Sequence, residues 1–279
     1  MANEINTLAP PKSKSQLAKR LGISRSALYY LPKLPRKDME LKNKIERVLV
    51  AHKAYGHRRI AIALGINKKR VFRVMKLFNI KTKRRRKYPR KPKDIKKAPM
   101  AIPNLLLDLE IIINAPNKVW ATDFTYLPYL GKFIYLATVE DLYTRLIVGW
   151  EVSVRHNADL VTQALINAFK RYPKPHIVHS DQGSEYTSQE YLELAGKQNI
   201  KVSMSEKASP WQNGFQESFY SGFKLELGYP EAYPTAGELI EAIANQIYYY
   251  NHKRIHSALK CPPAVFSQRC QQIKTKITF

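Results

Sequence analysis

Three acidic residues in this chain stand where a carboxylate is costly unless it has work to do. Asp123 interrupts an apolar, β-branched and aromatic run, Val119–Leu127, with Thr122 and Phe124 on either side. A charge in the middle of such a strand needs a cation or dedicated hydrogen bonds. Asp181 ends a short apolar segment in His179-Ser180-Asp181-Gln182-Gly183, the carboxyl end of a strand, where open α/β sheets place their ligands. Glu217 falls on a helix opening near Asn213. There Phe215, Phe219, Gly222 and Phe223 form the expected buried stripe, and Glu217, Ser221 and Lys224 recur at i, i+4 and i+7 on the other face. Three carboxylates converging on one point repel unless a cation joins them. An all-oxygen, hard donor set suits Mg²⁺ or Mn²⁺. Two such ions can activate an attacking oxygen and stabilise a leaving oxygen in phosphodiester chemistry.

The elements that would position these residues read as a mixed α/β body. Strands are expected over Val119–Leu127, Lys132–Val139 and Arg145–Val152, the last two joined through Glu140–Thr144. After them come an amphipathic helix over Asp159–Tyr172, a strand at His176–Ser180, a helix at Gln189–Gln198 and a strand at Ile200–Met204. Three strands, helix, strand, helix, strand and further helices is the order of a ribonuclease-H-like fold: a mixed five-stranded sheet with flanking helices. Thr235-Ala236-Gly237-Glu238 is a capping box opening a helix that reaches about Ile255.

Charge divides the chain. Of its 279 residues, 47 are Lys or Arg and 22 are Asp or Glu, a formal net charge of +25. Residues 1–100 hold 30 basic and 5 acidic side chains, net +25, and residues 101–279 hold 17 of each, net zero. With a pI near 9.9, the polyanion implied is nucleic acid, approached first by the N-terminal third. That third reads as two helix-turn-helix units, over 1–35 and 36–80. In the first, a helix ends at Gly22 and Ser24 caps a second helix through Leu31, with Leu17, Leu21 and Leu28 inward and Arg25 and Ser26 outward. Leu17–Ser24 aligns with Ile60–Asn67, 43 residues later, and Lys68 then matches Arg25, with Lys69 beside it. Basic residues at the start of a recognition helix fit a major groove. Residues 81–115 read as a basic linker. Arg84, Arg85 and Arg86, flanked by Lys83 and Lys87 among several prolines, would track phosphates. The core then spans 116–279.

Other classes recede. Hydrophobic residues make up 44% of the chain, enough for a packed core. No apolar run is long enough to span a membrane, and Met1–Pro11 lacks a secretory pattern, so a cytoplasmic location is expected. Cys261 and Cys270 cannot form a disulfide scaffold, and with His252 and His256 their spacings do not suit zinc. Glu140-Asp141 is a second acidic pair, expected to be structural or solvated in a connection between strands, and Glu185 lies four residues beyond Asp181.

The motifs carry a family resemblance. Pro116–Tyr126 resembles the start of the catalytic core of bacterial insertion-sequence transposases, specifically the second-frame (orfB) product of the IS-three family. His179–Tyr186 and Ser209–Phe219 resemble its second and third blocks, and 35 residues separate Asp181 from Glu217, the family's spacing. Tyr250–Leu259 with Pro262-Pro263 resembles its C-terminal signature, and Tyr55–Ile60 its upstream helical domain. The resemblance implies a DDE transposase. Asp123, Asp181 and Glu217 would be the metal-holding catalytic triad, Lys224 a contact to DNA near the scissile phosphate, and Mg²⁺ or Mn²⁺ the cofactor, two ions in number. It further implies double-stranded DNA as partner (the element's ends and the target), a homo-oligomer on that DNA, and an upstream-frame (orfA) product or fusion. The setting would be a bacterial cytoplasm at the nucleoid. The rival reading is a non-catalytic, transposase-derived DNA-binding protein, which needs the helix-turn-helix units but not the carboxylates.

Overall fold

The computed structural model describes residues 13–29, 33–83, 102–107, 113–206 and 214–277. Arg84, Arg85 and Arg86, and with them most of the expected basic linker, lie outside the described residues, as do Ser209–Asn213 of the third motif block.

The chain begins with α1 (Lys14–Arg20), capped by Ser13, whose side chain accepts from Gln16 N. The turn at Gly22 is as expected, with φ +64°, a value glycine takes without strain. The next element is a 3-10 helix, Arg25–Tyr29, in place of the α-helix expected through Leu31; Ser24 Oγ starts it by accepting from Ala27 N at 3.2 Å. Pro32 disfavours α geometry in the residue before it, which fits a short element. Leu21, expected inward, is 57% exposed, and Ala18 is the one buried residue of α1.

The second unit is a complete three-helix module: α2 (Lys33–Ala51), α3 (His57–Leu64) and α4 (Lys68–Leu77). Gly65 closes α3 at φ +63°, and Asn67 caps α4 by accepting from Lys69 N at 2.8 Å. The inward stripe of the three helices (Leu41, Ile45, Ile60, Val71, Val74) forms one apolar cluster with Tyr55. Asp38, 2% exposed, is satisfied by a forked pair from Arg73 at 2.8 and 2.5 Å, which holds its carboxyl below the usual range. This module is joined to the C-terminal part of the chain. Ile255 N donates to Tyr55 Oη at 2.6 Å, His52 Nδ1 lies 2.7 Å from Tyr249 Oη, and Ile255 packs on the module's cluster.

The body is built on β1 (Val119–Tyr129), β2 (Lys132–Asp141), β3 (Ile147–Ser153), β4 (Ile177–Ser180) and β5 (Lys201–Met204), in spatial order β3-β2-β1-β4-β5. β1, β2 and β3 pair antiparallel, and β4 and β5 join parallel. One face is covered by α5 (Ala158–Phe169) and α6 (Gln189–Lys197) over Trp120, Val139, Val148 and Val178. The other is covered by α7 (Gly214–Leu227) and α8 (Ala236–His252) over Leu127, Leu136 and Ile147, and α9 (Pro263–Ile277) comes last. α5 approaches β3 so closely that a Cβ on Gly149 would sit 2.3 Å from Ala164 O. This is a ribonuclease-H-like sheet with flanking helices behind a helical N-terminal region.

Glu140 and Asp141 do not sit in a solvated connection. They end β2, 2% and 1% exposed, because β2 runs two residues further than its apolar pattern. Asp141 is structural: its carboxylate accepts from Asn117 N, Tyr143 N, Thr144 N and Thr144 Oγ1, closing the turn into β3.

Candidate active site

Asp123 lies midway along β1, opposite Thr138 of β2. Its Oδ1 accepts from Phe124 N at 2.8 Å. Burial, then the charge of Asp181, pushes its carboxyl up to about 7; Phe124 N–H and Lys224 oppose the rise and Glu217 adds to it. Asp181, Glu217 and Lys224 are therefore each within electrostatic reach of Asp123. Asp181 follows the last residue of β4, beside β1 in the sheet, and its Oδ1 accepts from Gly183 N at 3.0 Å. Burial raises its carboxyl, the Gly183 N–H opposes, and Glu185 adds to the rise. Glu217 is on the exposed side of the first turn of α7, and Lys224 stands two turns along. Burial lowers the Lys224 ammonium, with Asp123 holding it up, and its Nζ lies 5.1 Å from the centroid of the exposed Tyr126 ring.

α7 is held against the sheet by polar side chains that the apolar stripe did not show. Gln216 is fully buried and donates through Nε2 to Ala121 O at 2.7 Å. Tyr220, also buried, donates to Asp123 O at 2.6 Å. The buried face of α7 is Gln216, Phe219, Tyr220, Gly222, Phe223 and Leu227. Phe215, expected on it, is 42% exposed, with the Arg145 guanidinium 3.9 Å from its ring centroid. Glu185 is a further carboxylate at this end of the sheet, 7% exposed and paired with His156 Nε2 at 2.8 Å. His156 in turn stacks on Tyr135 and packs against Phe124. No local pattern marked His156, because it meets Glu185 only through the fold.

The donor chemistry, three carboxylate groups of which Asp123 is pushed toward neutrality by burial first and by its acidic neighbours second, fits a hard divalent cation. Among the described residues, no group of three or more His, Cys, Asp or Glu side chains is placed closely enough to hold a metal ion as it stands.

Of the residues expected to meet DNA in the N-terminal third, Lys68 and Lys69 are exposed on the first turn of α4. Arg25 and Ser26 are exposed at the start of the 3-10 helix, with Ser26 Oγ 2.9 Å from Ser24 Oγ. The two sets belong to separate units, and neither lies among the carboxylates.

Sheet order, carboxylate placement and helical N-terminal region together define an integrase-type ribonuclease-H-like core. Models of the integrase core domain match residues 113–210 and 198–263. The transposase for insertion sequence element IS904 of Lactococcus lactis is 40% identical over 228 residues, covering 78% of this chain and 89% of that protein. A transposase of insertion sequence IS3A from Escherichia coli is 36% identical over 155 residues, 54% of each chain. A chain of the simian T-cell lymphotropic virus intasome, solved with PP2A regulatory subunit B56 gamma, shares the fold at 15% identity. Its TM-score is 0.50, over 80% of this chain and 74% of that one. The chain belongs to the IS-three family of insertion-sequence transposases. Among the described residues no helix is long and apolar enough to cross a membrane.

Proposed function

We propose that this protein is a DNA transposase that cleaves the ends of an insertion sequence and joins them to target DNA. The observation that supports the reading is placement: Asp123 lies midway along β1, Asp181 follows the neighbouring β4, and Glu217 stands on the helix that Gln216 and Tyr220 fasten to β1. Asp123, Asp181 and Glu217 would hold Mg²⁺ or Mn²⁺, two ions. Once bound, these would neutralise phosphate charge and lower the proton affinity of the attacking oxygen.

The residues themselves orient the reaction. Lys224 offers a cation beside Asp123 for the phosphate next to the scissile bond, with the Tyr126 ring 5.1 Å from its ammonium. In cleavage, a water oxygen bonds to phosphorus as the P–O3′ bond breaks; the water loses a proton and the departing oxygen gains one, leaving a 3′-hydroxyl and a 5′-phosphate. In joining, that 3′-oxygen attacks the phosphorus of another phosphodiester, first at the element's opposite end and later in target DNA, and displaces its O3′, so the number of phosphodiesters is conserved.

Arg25, Ser26, Lys68 and Lys69, with Arg84, Arg85 and Arg86, would supply the contacts to the duplex ends. The active form would be a homo-oligomer on DNA in the bacterial cytoplasm, with an upstream-frame product or fusion as a further partner.

Metal substitution tests the reading on pre-formed duplex ends. Mg²⁺ or Mn²⁺ should support cleavage and joining. Ca²⁺ should support binding with little chemistry, because its looser coordination constrains the oxygens less. Full activity in EDTA would overturn it. Binding with no cleavage under any of these ions would favour the non-catalytic rival.

A further inference from the structure

α7 borders a second polar environment, lined by none of Asp123, Asp181, Glu217 and Lys224. A cavity of about 530 Å³ lies between α7, the β2–β3 turn, the end of α8 and α3. Three guanidinium groups line it: Arg59 from α3, Arg145 from the turn and Arg254 just beyond α8. Arg254 is already paired, its Nε donating to Glu226 at 2.8 Å. The other two are not fully satisfied. Arg59 Nε and Arg145 Nη1 are buried without a hydrogen-bond partner, and so are His256 Nδ1 and Glu140 Oε2, all four from residues lining the same cavity.

The charges around it do not balance. Burial, then Arg145, Arg254 and Arg59, depress His256 to about 4, so it is neutral at pH 7. Burial pushes Glu140 up to about 8, with Arg145 opposing, so it adds little negative charge there. Three guanidinium groups thus share one paired carboxylate, Glu226. Like charges held together in a half-buried space raise the energy of the empty site, and unpaired buried donors add to it. A tetrahedral oxyanion would answer both, since guanidinium edges match its oxygens and the first residue of α7, Gly214, also lines the space.

We propose that this cavity is an oxyanion site that takes a phosphate group between Arg59 and Arg145, supplied by a DNA backbone or by free inorganic phosphate. Arg59 belongs to the three-helix module and Arg145 to the body, while Phe215 beneath Arg145 is two residues from Glu217. An occupant would therefore tie the module to the helix that carries the third carboxylate. The DNA source rests on the transposase reading; the inorganic source does not.

The experiment uses the full chain as wild type, Arg59→Gln, Arg145→Gln and the double variant, in two assays that do not read cleavage. The first follows the unfolding midpoint against inorganic phosphate, with ionic strength held by chloride. The second follows duplex affinity against salt. In phosphate-free buffer the variants should unfold at or above the wild-type temperature, because each removes a charge from a repelling cluster. If free phosphate is the ligand, the wild-type midpoint rises saturably and the variants do not respond. If a DNA phosphate is the ligand, the midpoint is flat, and each single variant lowers the slope of log affinity against log salt by about 0.9. The double variant then lowers it no further, because both arginines meet the same phosphate. Variants that unfold well below wild type without phosphate would overturn the proposal. So would a flat midpoint combined with slope changes that are absent, or that add in the double variant.

Discussion

The Tyr220 hydroxyl donates to the carbonyl oxygen of Asp123 at 2.6 Å, so the helix carrying Glu217 is fastened to the strand residue it must face. Tyr220 lies three residues after Glu217, and Gln216, one residue before it, makes a parallel attachment to Ala121 O. Thr138 Oγ1, 2.8 Å from the Tyr220 hydroxyl, closes the same buried group from β2. Burial, then Asp123, keeps the phenol far above its ordinary value, so it remains a donor at any working pH.

Tyr220→Phe should therefore leave the apolar packing of α7 in place while stranding the Asp123 carbonyl; the Thr138 hydroxyl keeps Gln216 Oε1, 3.0 Å away, as its partner. The stability cost expected for such an orphaned group is about 1–3 kcal/mol. A small misplacement of a reacting group costs far more rate than binding, so cleavage should fall by ten-fold or more while duplex affinity stays within two-fold, on the order expected for lost positioning. Parallel measurement of the unfolding midpoint, duplex affinity and single-turnover cleavage checks this. Wild-type cleavage in the variant would show that the attachment is ornamental.

Glu140 gives a pH signature. Its carboxyl is raised from 4.5 to about 8 in the folded chain, by burial first. The folded state therefore holds a proton that the unfolded state releases above its ordinary value. Stability from this group is fully present below about 4.5 and is lost as pH rises toward 8. Glu140→Gln should flatten that decline and unfold at higher temperature than wild type near pH 8, with a gain of roughly 1–3 kcal/mol. Equal pH slopes for the two proteins between 5 and 8 would place the titration elsewhere.

Gly149 tests the packing of α5 on β3. A methyl there would meet Ala164 O at 2.3 Å and Ala168 Cβ at 2.6 Å, backbone and short side chain with nowhere to move. Gly149→Ala should cost at least about 1–3 kcal/mol. A midpoint within a degree or two of wild type would mean that helix and strand separate easily.

The sheet was legible because its strands are apolar, β-branched runs broken by turn residues, and β1, β4 and β5 form within a few residues of where those runs fall. The carboxylates stand out in the sequence for the opposite reason: Asp123 breaks the apolar pattern, and Asp181 ends one. Gln216 and Tyr220 stayed hidden, since a buried amide and phenol disturb no helical period and find their partners on strands some eighty to a hundred residues away. Phe215 misled because an aromatic at stripe spacing reads as core, whereas here it serves as a platform for Arg145. The first unit's second helix also misled: Ser24 does cap, but the element it starts is a 3-10 helix. Joining of the three-helix module to the tail rests on Tyr55 and Ile255, 200 positions apart, beyond any local pattern.

The central claim, that Asp123, Asp181 and Glu217 act as one centre, is tested most directly by single-turnover cleavage and joining of a duplex carrying the element's end. Asp123→Asn, Asp181→Asn and Glu217→Gln keep the side-chain shapes and remove one charge each. Each should abolish both reactions in Mg²⁺ while duplex affinity stays close to wild type, and any pair combined should lose no more than one alone. Near-normal cleavage by any one of the three would contradict the account.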